Sequence, residues 1–204
     1  MQMAPPRVSV AIGIATVAVS LGVFLFGAPD LSVRAGFIPG RVTDVVDMAR
    51  ALPVWITPLS ATLLHGSVVH LLFNVLVLAY CGRSVEPVIG GIGLAVLYVA
   101  GAYAAALGQL IPSPHDMTPM IGASGAVSAL LAAHALLYGE RPDHGRYLSA
   151  GLLHILWLAL AWIGIQLLTQ LAFNGTVAVA AHIGGFLAGL VLLKPLLKLR
   201  HVRA

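Results

Sequence analysis

Apolar runs of about one membrane thickness follow one another along almost the whole chain, and the charged residues fall mainly in the breaks between them. A soluble fold needs a polar outer face on each element, and these runs offer none. Of 204 residues, 59% are hydrophobic and 9% charged, where a soluble domain carries about a quarter charged residues. The chain therefore reads as an all-α integral membrane protein. A spanning helix takes roughly 20 apolar residues, so about six fit. No long Gly/Ser-rich or charged linker divides the sequence. Residues 1–204 read as one membrane domain, with a six-transmembrane-helix bundle over about 8–195 as its core.

The single cysteine, Cys81, rules out an internal disulfide and a cysteine-based metal framework. The net charge of +4 comes from cations dispersed at the ends of apolar runs. That pattern fits membrane topology and not nucleic-acid binding.

The first apolar run, from Val8 to about Gly27, exceeds the core of a signal peptide, and Gly27-Ala-Pro-Asp30 makes a poor cleavage site. An uncleaved first helix is expected. Residues 28–60 form the longest non-spanning segment and hold four prolines. Between them Val42, Val45, Val46 and Ala49 recur at helical spacing, which predicts a short amphipathic interfacial helix. Further spans are expected over about 61–80, 88–110, 121–138, 147–170 and 177–193, with polar turns at 111–120 and 139–146 and a basic tail at 194–204. Arg7, Arg83, Arg141, Arg146, Lys194, Lys198, Arg200 and Arg203 would then lie on one side, against Arg34, Arg41 and Arg50 on the other. The positive-inside rule places both termini in the cytoplasm, and a cell (inner or plasma) membrane is the expected location.

Polar groups inside such spans are costly and face the protein interior. In the second span His70 and Asn74 are four residues apart and share a face, while His65 lies about 140° from His70. In the fourth, Pro119 and Gly122 mark a boundary, so Ser124 falls in the first turn of a helix. Backbone N–H groups there lack intrahelical partners and favour negative charge. In the sixth, His182, Gly185 and Gly189 form one stripe, and small residues along a stripe let two membrane helices approach closely. A serine needs a base to become a nucleophile, and imidazole is the usual one. Ser124 and His182 are the candidate pair. His70, Asn74 and the Ser124 amide are candidate oxyanion donors. The predicted spans hold no acidic residue to orient His182, so a Ser–His dyad is expected in place of a triad.

Three motifs in this order, His65-Gly-Ser-Val-Val-His70-Leu-Leu-Phe-Asn74, Gly122-Ala-Ser-Gly125 and Ala181-His-Ile-Gly-Gly185 with Gly189, resemble those of the rhomboid family of intramembrane serine proteases. The resemblance covers about residues 8–195. It implies a serine endopeptidase that cleaves transmembrane protein substrates within or near their spanning segments. Ser124 would be nucleophile, His182 base, and His70 and Asn74 oxyanion-stabilising. His65 would tie the second span to the first long loop, Gly122 would shape the serine motif, and Gly185 and Gly189 would seat the sixth span against the fourth. Glu86 would make a structural contact on the cytoplasmic side. Residues 28–60 would be a membrane-embedded external loop, and the fifth span with residues 171–177 a mobile gate. No metal, nucleotide or other cofactor is implied, and the partners would be the lipid bilayer and membrane-protein substrates.

Two features depart from the family pattern. Ser128 stands where some members carry an aromatic residue packed on the catalytic histidine, so His182 would be less well held or Ser128 would orient it. No Trp-Arg pair is evident near Trp55-Ile-Thr-Pro58. The alternative functions are a catalytically inactive rhomboid-like protein that binds membrane clients, and a small channel or transporter. The second would carry polar groups through the inner half of the spans, whereas those on the second, fourth and sixth spans cluster toward one side, apart from the scattered His134 and His154, which read as packed or interfacial residues.

Overall fold

A computed structural model describes residues 6–27, 30–43, 48, 50–138, 156–157, 159–164, 168 and 178–203. Among these residues the only extended pairing is an isolated antiparallel bridge between Phe37 and Met120. The other regular elements are helical. They are α1 (Val8–Phe26), the short helices α2 (Asp30–Ala35), α3 (Pro39–Val42) and α4 (Thr57–Ser60), a 3-10 turn (Ala61–Leu63), α5 (Val68–Leu110), α6 (Ser124–Tyr138) and α7 (Val179–Arg203). Val8–Phe26, Val68–Leu110 and Val179–Arg200 are long and apolar enough to cross a membrane, and Ser124–Tyr138 is a shorter apolar helix. The protein is thus an all-helical membrane protein. The expected fifth span, the turn at 139–146 and the loop at 171–177 lie largely outside the described residues, as do Val45, Val46 and Ala49 of the expected interfacial helix.

As one straight rod α5 would run about 64 Å, twice the roughly 30 Å of a hydrocarbon layer. It is two arms, residues 68–89 and 91–110, joined at Gly90, whose φ of 80° and ψ of 162° are not helical. Only glycine adopts that conformation without strain. The second arm folds back beside the first. Tyr103 lies about 50 Å beyond Val68 in helical rise, yet its hydroxyl donates to the Trp55 carbonyl at 2.8 Å. Ala106 packs with Phe37 and Ala61 in the same way. Near the bend the Arg200 guanidinium of α7 donates to the Pro87 carbonyl.

Three boundaries differ from expectation. The second span starts at Val68, not 61, because Ser67 caps α5 by accepting the His70 N–H at 3.1 Å. It continues past Tyr80 through Pro87, although the expected second and third spans leave a break at residues 81–87. The polar side chains there have partners along the bundle. The Ser84 hydroxyl donates to the Cys81 carbonyl at 2.9 Å and meets His134 Nδ1 at 2.7 Å. Glu86, 5% exposed, accepts the N–H groups of Arg7, Val8 and Ser9 at 2.8, 2.8 and 2.9 Å and the Ser9 hydroxyl at 2.7 Å. Its carboxylate satisfies the open amides at the start of α1 and meets the positive end of that helix. The last helix runs through Pro195 to Arg203, so most of the expected basic tail is helical. Leu193 and Leu196 remain in the core and hold it.

The bundle packs on small residues. A β-carbon on Gly101 would stand 2.7 Å from the Ala129 side chain and one on Gly108 2.5 Å from the Ala180 carbonyl. The second arm of α5 thereby meets both α6 and α7 at close range. On α1 the buried side includes Ser9, Thr16 and Ser20, while Val10, Ile14, Leu21 and Leu25 face outward. Positions 9, 16 and 20 lie on one helical face. Lipid solvates the apolar side, and hydroxyls turn inward.

Loss of the Glu86 carboxylate leaves three amides of α1 without an acceptor. Glu86→Ala is expected to destabilise the fold by about 2–3 kcal/mol, and Glu86→Gln, which keeps an acceptor, by less. Thermal unfolding in detergent micelles measures both; equal melting temperatures for Glu86→Ala and the unsubstituted protein would refute the role.

Candidate active site

Ser124 is the first residue of α6 and is half-buried. Val127 N–H is bonded to the Ala123 carbonyl at 2.9 Å, so the preceding amides of this turn lie beyond the regular ladder. The chain that leads into it is irregular but tied down. Phe37 and Met120 exchange N–H···O bonds of 3.0 and 2.7 Å, Gly40 N–H meets the Asp116 carbonyl at 3.0 Å, and Gly122 N–H meets the Ala61 carbonyl at 2.9 Å. Gly122 has φ of 115°, and a β-carbon there would lie 2.6 Å from His70 Cε1. Backbone conformation and the close imidazole both require glycine at this position.

His65 is 3% exposed and lies before α5, not within it. Its Nδ1 is 3.0 Å from the Ser20 hydroxyl, which donates to the Leu63 carbonyl at 2.8 Å. Its Nε2 faces the Ala123 N–H at 3.5 Å. These partners imply the tautomer with hydrogen on Nδ1. His65 therefore links α1 to the residue before Ser124, where the resemblance implied a tie to the loop at 28–60. It also meets the His70 ring edge-on, with centroids 4.9 Å apart. The helical-wheel angle between them does not apply, because α5 begins after His65.

His182 lies in the first turn of α7, with its N–H bonded to the Ala178 carbonyl at 3.2 Å. Its Nε2 stands 2.7 Å from the Ser124 Oγ. Contact at this level requires bare backbone. A β-carbon on Gly185 would overlap the Gly125 carbonyl, and one on Gly189 would overlap that of Ala129. Asn74 is 5% exposed and donates from Nδ2 to the His70 carbonyl at 2.9 Å, which leaves the second hydrogen of that amide. Thus Ser124, His182, His70, Gly122 and Gly185 meet in one region, with Asn74 one turn beyond His70 on α5. The Ser128 hydroxyl donates to the Ser124 carbonyl at 2.7 Å. Its bond runs along α6 and does not orient His182.

His134, which reads as a packed residue, is 2.7 Å from the Ser84 hydroxyl, between the rings of Tyr80 and Tyr138. His144 and His154 lie outside the described residues. The polar face of α1 was not singled out from the sequence. Its signal is there, since hydroxyl residues at 9, 16 and 20 follow an i, i+7, i+11 spacing in an otherwise apolar helix.

A hydroxyl at hydrogen-bond distance from an imidazole nitrogen, at the amide-rich start of a helix, can undergo proton transfer and add to a carbonyl. Comparison with known proteins bears on this chemistry. Proteins described as rhomboid protease GlpG are similar to this chain in Enterobacter sp., 33% identical over 64% of this chain. The similarity is 35% over 65% in Yersinia pseudotuberculosis and 32% over 65% in Klebsiella pneumoniae. The chain spans less than half of the length of these relatives, 44–45%. The family model of the rhomboid domain matches residues 53–199, well over half of the sequence and including all three motifs, and the chain belongs to the rhomboid family.

Proposed function

We propose that this protein is an intramembrane serine endopeptidase that cuts transmembrane proteins within or near their spanning segments. The observation that carries this reading is the 2.7 Å approach of His182 Nε2 to Ser124 Oγ at the start of α6. Membership of a family whose relatives are described as proteases supports it. His182 Nε2 takes the Ser124 proton as Oγ adds to the scissile carbonyl. The oxyanion that forms meets the Ser124 N–H together with the side chains of His70 and Asn74. Collapse expels the amine, which leaves with the proton held by His182. Water then attacks the acyl-serine by the same route in reverse roles, releasing the carboxylate product and restoring the hydroxyl. Neither step needs a metal or other cofactor.

The reaction sets a demand on the substrate. A peptide bond within a helix is shielded and hydrogen-bonded, so the substrate must unwind locally at the cut. Segments rich in small or helix-breaking residues satisfy this most readily. Water must also reach Ser124, which calls for a polar opening from the extracytoplasmic face. A six-span bundle with both termini in the cytoplasm meets that need, because it sets Ser124 toward the outer half of the membrane. The fifth span with residues 171–177 is the segment through which a substrate would enter.

Purified protein in liposomes, mixed with a single-span protein bearing an Ala/Gly-rich outer segment, tests the reading by gel and mass spectrometry. Ser124→Ala and His182→Ala are each expected to lower cleavage by at least about 10³-fold. Cleavage that survives Ser124→Ala would overturn it. Inactivity of the unsubstituted protein, together with failure of a fluorophosphonate to label Ser124, would favour a client-binding role.

Oxyanion donors act only in the transition state, so His70→Ala and Asn74→Ala should lower kcat by about 10²-fold with little change in KM. A rise in KM alone would assign these two residues to substrate binding.

A further inference from the structure

His182 is held from a second direction that the proposed chemistry does not include. The Trp162 indole N–H donates to the His182 carbonyl at 3.4 Å. The same indole stacks on Phe186, with centroids 5.3 Å apart and planes 13° from parallel. Phe186 is one turn beyond His182 and 4% exposed, and it packs with Ala132 of α6 and Leu190 of α7, joined by Ala159 and Trp162. One indole therefore touches α7 at both ends of the turn that starts with His182, and it sits in a cluster that includes the helix bearing Ser124.

We infer that Trp162 is a positioning residue for His182: it fixes the first turn of α7, and with it the distance from the imidazole to Ser124 Oγ. This rests on the proposed role of His182 as base. The physical case has two parts. The carbonyl of His182 is the regular acceptor for the Phe186 N–H, and a second donor on it restrains the turn against fraying at the helix start. A partly buried indole gains from a partner for its N–H, and a stacked aromatic pair adds attraction beyond the area it covers. On the α6 side the Ser128 hydroxyl donates to the Ser124 carbonyl.

Trp162→Phe keeps a ring for the stack and removes the N–H; Trp162→Leu removes both. Three measurements apply to the full chain in detergent micelles. Hydrogen–deuterium exchange of the peptide spanning His182 to Phe186 is expected to speed up in both variants, more in Trp162→Leu. Steady-state cleavage and the rate of fluorophosphonate labelling of Ser124 should fall together, about 3–10-fold for Trp162→Phe, the worth of one hydrogen bond, and further for Trp162→Leu, with KM within about 2-fold. If Trp162→Leu does not fold, Trp162→Phe alone decides. Unchanged exchange in Trp162→Phe would overturn the inference. So would faster exchange with unchanged labelling and kcat, which would make the contact purely structural. An unsubstituted protein that neither labels nor cleaves would sink the protease reading itself and this positioning role with it, whatever the exchange data show.

Discussion

Gly185 has no room for a β-carbon, because the carbonyl of Gly125 occupies its place. Most of the site depends on that contact. In lipid two helices gain little by burying apolar surface against each other, since the tails are as apolar as leucine. Association comes from dispersion at close range, and close range requires backbone to meet backbone. Gly185 and Gly189 on α7 meet the Gly125 and Ala129 carbonyls of α6, and Gly108 and Gly184 do the same between α5 and α7. His182 lies one turn before Gly185 and Ser124 one residue before Gly125. The imidazole and the hydroxyl are therefore 2.7 Å apart as a consequence of how tightly the two helices are packed.

Polar groups in this bundle are placed by the same logic run in reverse. A buried hydroxyl or carboxylate without a partner is costly in an apolar layer, so those that find partners act as fixed points. Glu86 holds the start of α1 through four hydrogen bonds, and Ser20 near the other end holds His65, which faces the amide of Ala123. α1 contributes no residue to the Ser124–His182 pair. It carries a polar stripe that orders the residues leading into α6.

How much of this was legible in the sequence varied with the kind of signal. Pro119 and Gly122 punctuate the chain strongly, and α6 does start at Ser124. The spacing of His182, Gly185 and Gly189 is set by helical geometry, so their common face could be read directly. The course of α5 could not. Arg83, Ser84, Glu86 and Pro87 have the composition of a turn, and only the partners supplied by α1, α6 and the local backbone let a helix continue through them. His65 reads as part of the second span for a related reason: the apolar residues begin at Ala61, and only the Ser67 cap sets the start of the helix after His65. Trp162 left no signal at all, because its partners are a backbone carbonyl and a phenylalanine far along the chain.

Residues 111–123 present the hardest physical problem, since they are irregular backbone in a chain that spans a membrane. Such backbone persists only where its N–H and C=O groups are bonded within the protein. Five of the groups concerned are: both those of Met120 to Phe37, the Asp116 carbonyl to Gly40, and the Gly122 and Ala123 N–H groups to the Ala61 carbonyl and His65. Three of the four partner residues come from the turn at 36–40, within the long segment after α1, and from the turn at 61–63 that follows it. That segment therefore has work to do even though it holds none of the candidate catalytic side chains. It supplies the donors and acceptors that let the chain stop being a helix beside Ser124, and an open backbone at that point is what a nucleophile needs if a substrate strand is to lie against it.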